Sequence, residues 1–177
     1  MTRDAFFRHL QTPANRDFVV RCCPTWPQYY VEIVRHFEKV RPHLLRCGVT
    51  IDTGVTLEGL PKCFAGQREA VVLFAHWTKR SVELDSGLAG IDDIVSCVPA
   101  NFTGVFDLCV CHPLELVKAV KLARRECLVR FTNTTATPAY WLHFYRILFE
   151  TMQQESLSYV DALERTVKMF VPQQGEH

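Results

Sequence analysis

Two stretches decide how this chain reads: residues 70–76, AVVLFAH, and residues 102–113, FTGVFDLCVCHP. Each is a short apolar run that stops at a reactive side chain. The first delivers His76; the second delivers Cys109 and Cys111, with Asp107 and His112 alongside. The first run does not alternate apolar with polar residues, which is the pattern of a strand covered on both faces. In an open α/β sheet, ligands gather beyond the carboxyl ends of the strands. A base and a thiol leaving two such strands would therefore meet on the ligand side. An imidazole beside a thiol takes its proton and stabilises the thiolate. The same imidazole can return the proton to a leaving amine, while backbone N–H groups near the thiol hold the oxyanion. The pattern predicts a cysteine-hydrolase site.

Outward from these runs, strands and helices alternate. Residues 1–16 read as an N-terminal arm that Phe6, Phe7 and Leu10 can dock, residues 17–171 as one α/β domain, and residues 172–177 as a loose tail. A strand is expected in DFVVRCC, from Asp17 to Cys23, and a helix from about Gln28 to Arg41. Tyr30, Ile33, Val34, Phe37 and Val40 form the stripe of that helix, and Pro42 stops or kinks it. A second strand is expected in CGVTIDTG and a short helix within 57–64. TKRSVELDSG reads as a polar loop or small hairpin. A helix over 90–98, a strand over 102–110 and a helix over 114–123 follow, then a strand in CLVRF. Thr137 and Pro138 cap and open a helix to about Gln154, which buries Trp141, Phe144, Tyr145, Leu148 and Phe149. Ser156 is the expected cap of a last helix through Met169. The order β-α-β-α-β-α-β-α-β-α-α predicts an α/β fold with a buried, mostly parallel sheet.

Composition narrows the functions. A chain of 177 residues that is 48% apolar can bury one sizeable core. Its 20 basic and 19 acidic residues leave a net charge of +1, no field for nucleic acid. No apolar run reaches the roughly 18 residues of a membrane span, and the N-terminal pattern breaks too early for a signal peptide. The expected location is cytoplasmic. The eight cysteines then read as reduced thiols rather than a disulfide framework. Among them, Cys47, Cys63, Cys97 and Cys127 read as buried hydrophobes. The CVCH cluster lacks the paired spacing of a zinc site, and there is no GxGxxG or Walker motif. No metal and no cofactor are expected.

From Leu44 onward, roughly three quarters of its length, the chain resembles the caspase-like cysteine peptidase superfamily, in particular its CHAT branch. AVVLFAHW is similar to the family's strand ending in histidine, and VFDLCVCHP to its later strand ending in the nucleophile. ECLVRFTNTTATPAYWLHFYRILFETM followed by SYVDALERTVKMF is similar to the family's last strand, loop and two helices. The resemblance implies a three-layer caspase-like fold with a mostly parallel sheet of about five strands. It implies a cysteine endopeptidase that needs no metal, with His76 as base, acting on a protein substrate. An activating protein partner in signalling, stress or defence goes with it.

The nucleophile stays open between two cysteines. Reading the strand as VFDLCV places Cys111 at its exit, before a turn at His112 and Pro113. Reading it as TGVF places Cys109 at the exit with Asp107 two residues earlier, which resembles the Asp-x-Cys of paracaspases and metacaspases, where the aspartate helps select a basic residue. The longer strand is more ordinary in length and favours Cys111. An Asp107 in mid-strand would be a buried carboxylate in need of a partner. The resemblance also implies that Asp107, Trp77, Asp85, Asn133 and Thr134 line the substrate cleft. Trp77 stands where the family carries glycine, which implies a narrowed cleft or a degenerate site. A catalytically inactive relative serving as an interaction or regulatory module is the alternative.

Overall fold

The computed structural model of the chain describes residues 26–52, 54–66, 68–78, 80–132 and 136–170. The expected arm, the strand at 17–23 with Cys22 and Cys23, the tail at 172–177, and Asn133 and Thr134 lie outside the described residues.

The chain is α/β. Helix α1 (Trp26–Arg46) leads through a 3-10 turn (Leu60–Phe64) to strand β1 (Ala70–Phe74). Strands β2 (Trp77–Thr78), β3 (Ser81–Leu84) and β4 (Gly87–Gly90) follow, then helix α2 (Ile91–Cys97) and strand β5 (Val105–Cys109). Helix α3 (Leu114–Ala123), strand β6 (Leu128–Phe131), helix α4 (Pro138–Glu155) and helix α5 (Tyr159–Phe170) complete the order. Strands β1, β5 and β6 form a parallel sheet with β5 in the centre, and β2, β3 and β4 form a separate antiparallel sheet.

All five residues of β5 are buried, because helices cover both of its faces. Helix α1 packs along α4, and α4 along α5; α2 and α3 pack together, and α3 lies against β6. Phe106, fully buried, meets Phe64 of the 3-10 turn edge to face at 5.2 Å, while Phe74 of β1 meets Tyr145 of α4 at 6.4 Å. No helix among the described residues is long and apolar enough to cross a membrane.

Several boundaries differ from the sequence expectation, each for a local reason. Helix α1 continues through Pro42 to Arg46. Proline forgoes one ladder bond, but Phe37, Val40 and Leu44 are all buried on the face that packs along α4, so burial on both sides of Pro42 keeps the helix going. Gly48 ends it with φ +73°, and Val49 N–H donates back to Leu44 C=O at 3.1 Å. This is the glycine-terminated cap that satisfies the last carbonyls. The expected strand in CGVTIDTG begins in that cap and joins no ladder among the described residues. The polar stretch after His76 takes the hairpin alternative, extended by one strand into the antiparallel β2–β3–β4 sheet. Ser156 is not the cap of α5: it takes a left-handed φ of 52° and closes α4, while Ser158 caps α5 by accepting from Asp161 N–H at 3.1 Å. The parallel sheet has three strands among the described residues, not about five.

The α1–α4 contact carries a pH dependence. His143 of α4 meets His36 of α1 nitrogen to nitrogen at 3.2 Å, with Lys39 on α1 and Arg146 on α4 adding positive charge. Two turns along, His43 of α1 pairs with Glu150 of α4 at 2.6 Å, and Glu150 also faces Arg146 at 3.8 Å. Partial burial first, then His36, Arg146 and Lys39, hold the His143 imidazole below its ordinary value of 6.5. Protonation is thus easier in the unfolded chain. The contribution is fully present above 6.5 and declines as pH falls from there to the lowered folded value. Urea unfolding at a series of pH values should show stability falling below 6.5, with a shallower slope in His143→Gln. Equal slopes would remove His143 as the cause.

Candidate functional site

Parallel pairing of β1 with β5 brings the two reactive runs together. The register runs from Ala70 opposite Val105 to Phe74 opposite Cys109, and the last bond runs from Ala75 N–H to Cys109 C=O at 3.2 Å. His76 lies two residues beyond Phe74, and Cys111 two residues beyond Cys109. The base and this thiol therefore leave adjacent strands at the same step, at the carboxyl end of the sheet. Both are exposed. Among the described residues no hydrogen bond joins the His76 ring to either thiol, and the carbonyl of His76 accepts from Glu83 N–H at 3.0 Å. The protein around the Cys111 sulfur pushes its thiol up by desolvation. His112 follows with φ +48°, a left-handed turn that ends the strand's path and feeds Pro113 and α3.

Cys109 is in a different environment. It is 6% exposed and lies in the core beside Tyr145. Burial, and then the Asp107 carboxylate, push its thiol far above the ordinary range.

Asp107 does not line a cleft. It is fully buried, with 0% exposure. It needs partners there and has them. Arg130 of β6 donates to Oδ1 at 2.8 Å, and the Tyr159 hydroxyl of α5 donates to Oδ2 at 2.5 Å. Arg130 also donates to the Tyr145 hydroxyl at 3.0 Å, and its guanidinium lies 5.4 Å from the Trp141 ring and 5.1 Å from that of Phe144. Burial raises the Asp107 carboxyl, and Arg130 and the tyrosine hydroxyls pull it back. One polar cluster centred on Asp107 thus ties β5, β6, α4 and α5 together.

The remaining expected residues are dispersed. Trp77 is half-buried, opposite Val82 in β3, and packs on the core. Asp85 is in the exposed β3–β4 turn, where its N–H donates to Val55 C=O at 3.0 Å and Ser86 Oγ accepts from Leu57 N–H at 3.0 Å. It sits at the opposite end of β3 from Arg80. A cavity of about 380 Å³ lies along β1, between Leu44, Val49, Val72, Phe149 and Tyr145, and its lining includes neither His76, Cys109 nor Cys111. No group of three metal-ligating side chains is assembled among the described residues.

Sequence reasoning named neither Arg130 and Tyr159 as partners of Asp107, nor the ion pair between Arg80 and Glu115 at 2.7 Å. The partners of Asp107 are 23 and 52 residues away, so no local pattern announces them.

No protein-family model, no curated protein and no solved structure significantly matches the chain.

Proposed function

We propose that the chain is a cysteine endopeptidase of the caspase-like, CHAT-related type. The observation that carries this reading is the β1–β5 register, which sends exposed His76 and exposed Cys111 out of adjacent strands at the same step. The chain order of strand, histidine, small antiparallel sheet, helix, strand and cysteine supports it as well. In a caspase-like fold the three parallel strands would be the centre of a sheet of about five, in three layers. Cys111, not the core residue Cys109, is then the nucleophile. Its thiolate attacks the scissile carbonyl of a protein substrate as His76 takes the thiol proton, and the C–N bond breaks as the imidazolium returns that proton to the leaving amine. Water, activated by the same imidazole, cleaves the thioester and regenerates the thiol.

A second reading has its own support. The Cys111 thiol is pushed up rather than down, and Trp77 stands beside the histidine. Both suit an inactive relative that keeps the fold as an interaction module. An electrophilic peptide probe separates the two. Labelling of the full chain, read by mass spectrometry, should be abolished in Cys111→Ala, be retained in Cys109→Ala, and fall by about 10²- to 10⁴-fold in His76→Ala. Absence of site-specific labelling and of peptide cleavage, with protein partners supplied, would select the interaction module.

A further inference from the structure

The segments that carry His76 and Cys111 are joined a second time, outside the sheet. Arg80 is in the turn between β2 and β3, four residues after His76, and takes a left-handed φ of 64°. Glu115 is in the first turn of α3, four residues after Cys111. Arg80 Nε lies 2.7 Å from Glu115 Oε2, with the two side chains 74% and 55% exposed. A left-handed backbone at a non-glycine residue is uncommon and marks a turn held by its surroundings. The ion pair thus crosses from the structure that follows the base to the helix that follows the thiol.

We propose that Arg80 and Glu115 form an electrostatic strap that holds the β2–β3 turn against the start of α3, limits access to the Cys111 thiol and fixes the approach of His76 to it. These are positioning residues: among the described residues no hydrogen bond or ion pair joins either of them to the thiol or the imidazole. The proposal rests on the assignment of His76 and Cys111 as the reactive pair. An exposed pair is held by little free energy and is screened by salt. The strap is therefore one that ionic strength, or a charged segment of a protein substrate competing for Arg80, can release.

The test is the rate at which iodoacetamide, small and neutral, alkylates Cys111 in the full chain. It is read at that residue by mass spectrometry, and it needs no catalysis. Arg80→Ala and Glu115→Ala should each raise the rate about two- to five-fold, the range open to a surface pair. Raising the salt concentration should do the same in the wild type and leave both variants nearly unchanged. The double exchange Arg80→Glu with Glu115→Arg should restore the slow, salt-sensitive rate. Single variants that alkylate at the wild-type rate, or that keep the wild-type salt response, overturn the strap, as does failure of the double exchange to restore it. The peptidase reading fails separately, through absence of probe labelling and cleavage.

Discussion

Replacing Arg130 with methionine is expected to cost about 3–5 kcal/mol of folding stability, the usual result of removing one partner of a buried ion pair. Asp107 would keep its place in the middle of β5, at 0% exposure, with the Tyr159 hydroxyl still donating. It would lose the guanidinium at 2.8 Å, the only opposite charge paired with it among the described residues. Methionine retains much of the volume that Arg130 places against Trp141 and Phe144, so the loss reports charge more than packing. The pH dependence identifies the cause. Without the cation, burial pushes the Asp107 carboxyl further above its unfolded value of about 3.9. Stability tied to that proton is complete below the unfolded value and is lost as pH rises through the raised folded value. The deficit of Arg130→Met against wild type should be largest near neutrality and shrink on acidification. Urea unfolding at several pH values measures it; a small deficit that does not vary with pH would mean that the carboxylate finds another partner.

The same cluster marks where the sequence stopped being readable. Mid-strand burial of Asp107, and its need for a partner, follow from a carboxylate inside an apolar run. The partner does not, because Arg130 is brought alongside only by the parallel pairing of β5 with β6, opposite Asp107 in the register. Tyr145 and Tyr159 show their apolar rings in a helical pattern, and nothing in that pattern says that both hydroxyls turn inward. By contrast, β1 and α4 could be placed from the sequence because their signals are local: a non-alternating apolar run, and a threonine–proline pair at a helix start. The choice between Cys109 and Cys111 lies between these cases. Alternation puts both on one face, and only the end of the ladder separates a core thiol from an exposed one. The Arg80–Glu115 pair was out of reach for the same reason as Arg130: it joins residues 35 apart in number, one in a turn of the small antiparallel sheet and the other on helix α3.

Gly104→Ala is expected to destabilise the protein by about 3 kcal/mol, the upper end of what overpacking usually costs. This glycine is not required by its dihedral angles; it is required by space. A Cβ there would stand 2.6 Å from Arg68 C=O, 2.7 Å from Glu69 C=O and 2.8 Å from the Phe102 ring. Two of the three neighbours are backbone, so no side-chain rotation relieves them. Neither can the strand move away. Val105 N–H donates to Glu69 C=O at 2.9 Å on one side, and Gly104 C=O accepts from Leu128 N–H at 3.1 Å on the other. The added methyl must pry β5 from β1, from β6 or from both, at the end of the ladder remote from the site. That end anchors the register, and the register sends His76 and Cys111 out of the sheet at the same step. Alongside a lowered urea midpoint, hydrogen exchange should therefore rise first at the amides of Val105 and Leu128, whose ladder bonds flank Gly104. An unchanged midpoint would show that the segment at 68–69 yields, and that the spacing of the reactive pair is fixed further along β5.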